Sequence, residues 1–132
     1  MIEGFNIEIV NPEKSFFSKE NVSEVIVPAF EGEMGILKDH ISIISFLKPG
    51  IIKVFNGAEE DNFYVEDGIV EFKDNSLSIL TSSIFNLKNT DKKHIADSIE
   101  KAEKELANDE IDDQKKFLLN SKVEVLKSLS IN

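Results

Sequence analysis

The spacing of apolar residues changes once along this chain, near residue 88, and that change constrains the fold more than any other feature. Before it, apolar and polar residues alternate with a period of two, as in Phe5-Asn6-Ile7-Glu8-Ile9. This period is typical of β-strands with one buried face. After it, apolar residues recur every three or four positions, the period of an amphipathic helix. These positions are Ile95, Ile99, Ala102 and Leu106. The sequence predicts a β domain over residues 1–87 and a helical unit over residues 88–132.

Short strands separated by turn signals fill the first part. We expect Pro28 to end the pairing of its strand, because proline has no N–H to donate. The run 41–47 is apolar enough for a core strand. Asp67-Gly68 and Asp74-Asn75 are tight-turn signals. Strands repeating every 8–12 residues are typical of a sandwich or barrel. The predicted strands are 5–9, 22–27, 41–47, 51–55, 62–65, 69–72 and 77–80.

Two helices are predicted in the second part. Thr90-Asp91 offers an N-cap for the first helix, and Asp112 or Asp113 can cap the second. The polar break 107–110 between them is short, so the helices should form an antiparallel hairpin. The apolar residues of the second helix are Leu118, Leu119, Val125, Leu126 and Leu129.

Charge narrows the choice of partners. The chain of 132 residues carries a formal net charge of −10, and its 15 basic residues are all lysine. Without arginine forks and with an acidic balance, nucleic-acid binding is not expected. The residues before Thr90 hold 15 acidic and 7 basic side chains, so most of the negative charge lies in the β domain. A basic partner surface would be favoured there.

Composition also limits the cellular compartments in which the protein is expected. There is no cysteine, which excludes disulfides. No apolar run approaches the roughly 20 residues of a membrane span, so no direct membrane insertion is expected. The start of the chain, at residues 1–5, shows no secretory signal.

The segment 31–40 is predicted as a shaped loop with two glycines, Gly32 and Gly35. It presents Glu31, Glu33 and His40 on a β framework, as binding loops often do. The two glutamates could act as a general acid/base pair, but residues two apart more often form a solvated rim. A histidine after an aspartate is commonly a local turn residue.

No catalytic or metal-binding pattern is found. His40 and His94 are the only histidines and lie in different parts of the chain, so a zinc site is not predicted. The sequence contains no Gly-x-Ser-x-Gly elbow and no phosphate-binding glycine loop. We therefore predict neither catalytic residues nor a cofactor.

The ordered motifs resemble those of the epsilon subunit family of bacterial and chloroplast F-type ATP synthases. The resemblance covers essentially the whole chain. The residues that carry it are Asn11-Pro12-Glu13 with Phe17-Ser18, Val25-Ile26-Val27-Pro28, Glu31 to Leu37, His40, Leu47 to Gly50, Gly68 to Phe72 and Leu80-Thr81, before the helical hairpin.

This resemblance implies a β-sandwich of about ten strands followed by a C-terminal antiparallel helical hairpin. It implies a non-catalytic rotor subunit of the central stalk, which couples the gamma subunit to the membrane c ring. It places the chain peripherally on the cytoplasmic face of the bacterial inner membrane. The family's c-ring contact falls on Glu31, Glu33 and His40, while the gamma contact should fall on other strands and on the helices.

The resemblance also implies that the hairpin can have a regulatory role in ATP hydrolysis. Family hairpins can inhibit ATP hydrolysis, and some bind ATP through an aspartate and arginines. Here Asp91 matches, but His94 stands in the arginine position, so ATP binding should be weak or absent. Contacts with the catalytic beta subunits would use basic side chains whose alternative role is plain solvation. These are Lys115, Lys116, Lys122 and Lys127.

The rival interpretation is a free-standing β-sandwich that binds a small ligand. Such a site favours clustered exposed aromatics. The chain has no tryptophan and one tyrosine, Tyr64, which disfavours that alternative.

Overall fold

The computed structural model describes residues 4–130, which form ten β-strands, a 3-10 turn over Leu87–Asn89 and two α-helices. Residues 1–3, which belong to the segment without a secretory signal, lie outside the described residues. The strands are β1 Phe5–Val10, β2 Ser15–Val22, β3 Glu24–Ala29, β4 Gly32–Leu37, β5 Ile43–Leu47, β6 Gly50–Asn56, β7 Glu59–Val65, β8 Gly68–Lys73, β9 Ser76–Leu80 and β10 Ile84–Asn86. The helices are α1 Lys92–Leu106 and α2 Asp113–Ser130.

The strands form one curled sheet that folds into two layers. Its order is β10-β7-β6-β3-β5-β8-β9-β1-β2, with β4 paired to β3 beside this path. The single pair Ala29–Leu47 joins β3 to β5, and there the sheet passes from one layer to the other. All neighbouring strands are antiparallel except β1 and β9, which run parallel. The predicted sandwich is confirmed.

The core lies between the two layers and follows from the period of two. In β1, Phe5, Ile7 and Ile9 are buried while the residues between them are exposed. Phe5 meets Phe72 of β8 edge-on, with ring centroids 5.4 Å apart. Such edge-to-face pairs are a favoured aromatic geometry.

The two helices form the predicted antiparallel hairpin. The Asp91 side chain accepts a hydrogen bond from the His94 backbone N–H at 2.8 Å, so Asp91 is the N-cap of α1. Asp112 accepts from the Lys115 N–H at 2.7 Å and caps α2 in the same way. Each cap satisfies a backbone donor that the helix leaves without an internal partner.

The hairpin covers the outer face of the layer that contains β6, β7 and β10. We call this surface the hairpin face and define it by Ile51, Tyr64 and Phe85. Tyr64, Ile95 of α1 and Leu126 of α2 are buried together there. A separate cluster of Ala102, Leu119 and Val123 holds the two helices to each other.

The predictions for the region of β2 and β3 differ from the structure. The predicted strand 22–27 is wrong at its start, because Val22 ends β2 and Ser23 separates it from β3. The whole of β2 was missed, since Ser15–Val22 mixes polar and apolar residues without clear alternation. Pro28 does not end β3, because it still pairs with Glu33 of β4. The pairing of β3 with β6 stops at Ile26. The edge of β3 that faces β6 therefore needs no N–H donor at Pro28.

The predicted loop 31–40 is largely a strand. Gly32–Leu37 forms β4, and only its flanks are turns. Gly32 has a φ of 134°, a conformation that favours glycine. The run 41–47 is a core strand on one face only, because Ile44 and Phe46 of β5 are exposed.

Candidate functional site

The acidic residues predicted as contacts lie at the turn that joins β3 to β4. Glu31 is exposed in that turn, and Glu33 is exposed on the first part of β4. Within residues 4–130, β4 pairs with β3 alone, so its other edge is open. An open strand edge with charged side chains is suited to contact with a partner and resists edge-to-edge aggregation.

His40 lies beyond the opposite end of β4. Leu37 lies four positions after Glu33 along the strand, which corresponds to about 13 Å at the usual rise per residue. The structure therefore does not bring Glu33 and His40 together. The His40 ring lies edge-on to Phe72, with centroids 6.0 Å apart. Its Nδ1 donates to the Ile41 carbonyl at 2.7 Å, because a carbonyl oxygen can only accept.

An exposed apolar surface lies on the outer face of the other layer, on β5, β8 and β9. We call it the open face and define it by Ile44, Phe46, Ile69 and Leu80. Phe46 stands opposite Ile69, and Ile69 opposite Leu80, so three of the four form one cross-strand row. Ile44 is 69% exposed and Phe46 is 61% exposed. Contiguous exposed apolar surface of this kind marks interaction sites.

Sequence reasoning missed the open face. Its signal was the apolar character of 43–47, which lacks alternation and so makes both faces of β5 apolar. Phe30 extends the surface, since its N–H donates to the Phe46 carbonyl at 3.0 Å and its side chain is 42% exposed.

Two predicted nucleotide contacts have local structural roles. The Asp91 carboxylate caps α1. The ring of His94 meets Phe85 edge-on, with centroids 5.2 Å apart. Nearby, the buried Tyr64 hydroxyl has no hydrogen-bond partner among residues 4–130, and burial together with Glu66 raises the pKa of Tyr64.

The four lysines of α2 are not equivalent. Lys122 is half-buried and pairs with Glu66 of the sandwich at 2.8 Å, so it joins the hairpin to the sheet. Lys115 and Lys127 approach Glu105 and Glu103 of α1 at 4.0 and 3.5 Å. Lys116 is exposed. Plain solvation is therefore wrong for Lys122, because folding brings Glu66 against it.

Ion pairs also link the two layers at one edge of the sandwich. Lys19 of β2 contacts Asp61 of β7 at 3.0 Å and Glu59 at 3.1 Å. Lys88, just before the hairpin, contacts Asp61 at 3.4 Å. Burial acts to raise the pKa of Asp61, but hydrogen bonds and charge from Lys19 and Lys88 lower it overall. Hydrogen bonding to Asp61 and Glu59 raises the pKa of Lys19.

Between residues 4 and 130, no three His, Asp or Glu side chains are grouped so that they could hold a metal ion. Neither of the two helices described is long and apolar enough to cross a bilayer.

Comparison with known proteins agrees with the fold. The family described as ATP synthase, delta/epsilon chain, β-sandwich domain matches residues 4–87. An ATP synthase epsilon chain of Pelagibacter ubique (strain HTCC1062) is 67% identical over 130 residues, covering 98% of this chain and 100% of the relative. An ATP synthase epsilon chain of Parvibaculum lavamentivorans is 35% identical over 98% of this chain and 97% of the relative.

Solved structures show the same architecture at low identity. A chain of the Euglena gracilis mitochondrial ATP synthase, in an OSCP/F1/c-ring structure, has a TM-score of 0.76 at 21% identity. The match covers 98% of this chain and 81% of that one. A chain of the Tetrahymena thermophila mitochondrial ATP synthase, in a central stalk/c-ring structure, has a TM-score of 0.63 at 15% identity, covering 95% of each chain.

The fold thus defines a β-sandwich protein with a C-terminal helical hairpin. With its domain match and its 67% identical relative, the chain belongs to the ATP synthase epsilon-chain family.

Proposed function

We propose that this chain is a non-catalytic rotor subunit of the central stalk, which couples the gamma subunit to the c ring during proton-driven ATP synthesis. Residues 1–87 would supply both contacts, and residues 88–132 would form a separate regulatory element. The subunit would lie peripherally on the cytoplasmic face of the bacterial inner membrane. Family membership supports the assembly, and the open face is the observation that carries the role.

The open face is proposed as the gamma contact. Fully burying an aliphatic or aromatic side chain contributes about 1.5–3 kcal/mol, and side chains already half-buried contribute about half of that. The four residues of the open face with Phe30 would then supply about 5 kcal/mol. Because association also costs free energy in lost translational and rotational freedom, this burial is a gross gain and not the net affinity for gamma. The opposite outer face is already occupied by the hairpin.

Glu31, Glu33 and His40 are proposed as the c-ring contact. The resemblance gives the loops of the c ring basic side chains, and these would be attracted to the two exposed glutamates. The separation of Glu33 from His40 implies two contact points. A ring presents the same loop repeatedly, so neighbouring copies could meet both points.

Substitution on the open face tests the gamma contact. We expect Ile44→Thr with Phe46→Thr to weaken binding to purified gamma at least tenfold, because about half the apolar contact is lost. Threonine is well tolerated in strands. The matched control is Phe117→Gln, which removes another half-exposed aromatic from the outer side of α2. Equal binding by the double variant and the control would remove the open face from the gamma interface.

A second experiment tests the ring contact. The complex of gamma with the Glu33→Ala, His40→Ala double variant should fail to dock on the c ring. The single variants then separate the two contact points, and Glu20→Ala, an exposed acidic change on β2, is the control. Unchanged docking of the double variant would refute the assignment of these residues but not the role of the subunit.

The hairpin is proposed to respond weakly or not at all to ATP. Asp91 is engaged as a cap and His94 packs on Phe85, so neither offers the planar fork that arginine provides. Calorimetric titration of the isolated chain should give no saturable binding at millimolar ATP. Saturable binding would mean that the lysines replace arginine and would reopen inhibition through Lys115, Lys116, Lys122 and Lys127 at the catalytic beta subunits.

A further inference from the structure

The turn between β8 and β9 touches the segment that carries His40. Asp74 and Asn75 form this turn with φ values of 51° and 56°. A two-residue hairpin turn with two positive φ values favours asparagine or glycine at these positions. The backbone alone therefore explains why asparagine is tolerated at position 75, but it does not explain what its side chain contacts.

The side chain of Asn75 is engaged at both ends by one residue of the other loop. The Asp39 backbone N–H donates to Asn75 Oδ1 at 2.7 Å. Asn75 Nδ2 in turn donates to Asp39 Oδ1 at 2.9 Å. The Asp39 carboxylate can only accept, so the amide has one orientation in which both bonds form.

The same turn is anchored to the core sheet. The Asn6 N–H of β1 donates to the Asn75 carbonyl at 3.1 Å. Asp39 itself has a φ of 66°, a conformation that is uncommon for non-glycine residues, although aspartate adopts it more readily than most. The reciprocal bonds hold Asp39 in this conformation against a turn that is itself fixed to β1.

The conformation of Asp39 sets the direction of His40, the next residue. The His40 N–H donates to the Leu37 carbonyl at 3.1 Å, and its ring is braced by Phe72. With Nδ1 donating to the Ile41 carbonyl, Nε2 is the ring nitrogen left for a partner group. If Asp39 relaxed to negative φ, the chain direction at His40 would change and this arrangement would be lost.

We propose that Asn75 is a positioning residue, which fixes the 38–40 segment so that His40 meets the c ring without further ordering. This inference depends on the proposed function, because it assumes that His40 is a ring contact. Asn75 itself touches no partner in this proposal and acts through Asp39. Preorganised contact loops bind more tightly because ordering costs are not incurred on association.

Three variants separate positioning from turn formation. Asn75→Gly keeps the positive φ and removes both side-chain bonds. Asn75→Asp keeps the shape but sets two carboxylates against each other. Adding Asp39→Asn to Asn75→Asp reverses the roles, because the amide is then at position 39 and the carboxylate at position 75. Asp74→Gly, at the neighbouring position of the same turn, is the control.

The measurement is docking of the gamma complex on detergent-solubilised c ring, with the melting temperature of each free variant and amide exchange at Asp39 and His40. We expect docking to weaken about tenfold in Asn75→Asp, which loses the charge-assisted bond to the Asp39 carboxylate and places two carboxylates together. In Asn75→Gly, which loses both side-chain bonds without adding a charge, docking should weaken severalfold. The reversed pair should recover docking and amide protection, while Asp74→Gly should bind within twofold of the unaltered chain.

Two outcomes overturn the proposal, and they differ. If His40→Ala weakens docking but both single Asn75 variants dock normally, the positioning role is wrong and the ring contact stands. If His40→Ala itself has no effect, the contact assignment of His40 fails and the positioning role fails with it. Failure of the reversed pair to recover docking, at an unaltered melting temperature, also contradicts it.

Discussion

The two outer faces of the sandwich carry similar apolar side chains but meet different surroundings. On the hairpin face, Tyr64 is 1% exposed because α1 and α2 cover it. On the open face, Phe46 is 61% exposed although it belongs to an equally regular strand. The apolar side chains are thus covered by the chain's own helices on one side and left exposed on the other.

In the proposed function, this difference gives one small domain an internal surface for the hairpin and an external surface for a partner. The hairpin face includes an ion pair between Lys122 and Glu66 at its margin. On the open face, Phe46, Ile69 and Leu80 form the cross-strand apolar row, and the remaining member, Ile44, stands opposite Glu71. Removing an apolar side chain should therefore cost stability on the first face and partner affinity on the second.

The largest expected effect is at the centre of the hairpin face. Leu126→Ala should lower the free energy of unfolding by about 2–4 kcal/mol, because it removes a fully buried side chain and leaves a cavity. Tyr64 is the single tyrosine and there is no tryptophan, so tyrosine fluorescence during urea unfolding reports on this face directly. Ile44→Ala is the control and should cost less than about 1 kcal/mol. Equal losses would break the comparison.

The ion pair at the margin should contribute less. Lys122→Ala leaves Glu66 without its partner and should destabilise the folded chain by about 1 kcal/mol, since both side chains are half-buried. Lys122→Met, which retains the apolar stem, should recover much of this loss. Lys115→Ala, which breaks a 4.0 Å exposed pair, should change stability by less than about 0.5 kcal/mol. A larger loss from Lys115 than from Lys122 would contradict the assigned role of Lys122.

A smaller effect should depend on pH through Asp61, which holds Lys88 just before the hairpin. Its folded pKa lies below the unfolded value of about 3.9. Its contribution is therefore present above that value and is lost as pH falls through the folded pKa. Urea unfolding of the unaltered chain and Asp61→Asn should differ at pH 6, and the difference should shrink progressively as the pH falls below about 4, disappearing only below the folded pKa of Asp61. A constant difference across this range would mean that the ionised carboxylate is not responsible.

The smallest effect on stability is expected on the open face. Phe46→Thr should change the unfolding free energy of the isolated chain by no more than about 0.5 kcal/mol, as is usual for surface positions. The same variant should bind gamma poorly, so its affinity for gamma should change much more than its stability. Parallel urea and binding measurements check this, and a stability loss above about 2 kcal/mol would show that Phe46 supports the fold.

The parts predicted well from sequence are those with strong local signals. The period of two in β1, the helical spacing of Ile95 and Ala102, and the caps at Asp91 and Asp112 all depend on neighbours in sequence. The turn at Asp74-Asn75, which joins the paired strands β8 and β9, depends on local φ preferences. Each of these was confirmed because local and tertiary preferences agree there. The tight turn predicted at Asp67-Gly68 is different, because Gly68 already pairs with Leu47 in β8, and β7 and β8 do not pair with each other.

The parts that were predicted poorly depend on contacts with neighbouring strands. Ser15–Val22 becomes a strand because β1 pairs with it, not because of its own pattern. Gly32–Leu37 becomes β4 through its pairing with β3 and not through strong strand propensity. The exposure of Ile44 could not be predicted from sequence, because a continuous apolar run does not indicate which face of the strand is buried.

The sequence by itself determined the class of this protein, a β-sandwich with a helical hairpin, and its ordered motifs pointed to the epsilon family. Those properties follow from periodicity, turn chemistry and motif order, which are local in the chain. Only the tertiary structure decided which apolar face the hairpin covers, that Lys122 meets Glu66, and that Glu33 and His40 lie apart. These depend on contacts between residues distant in sequence, and such contacts exist only once the chain has folded.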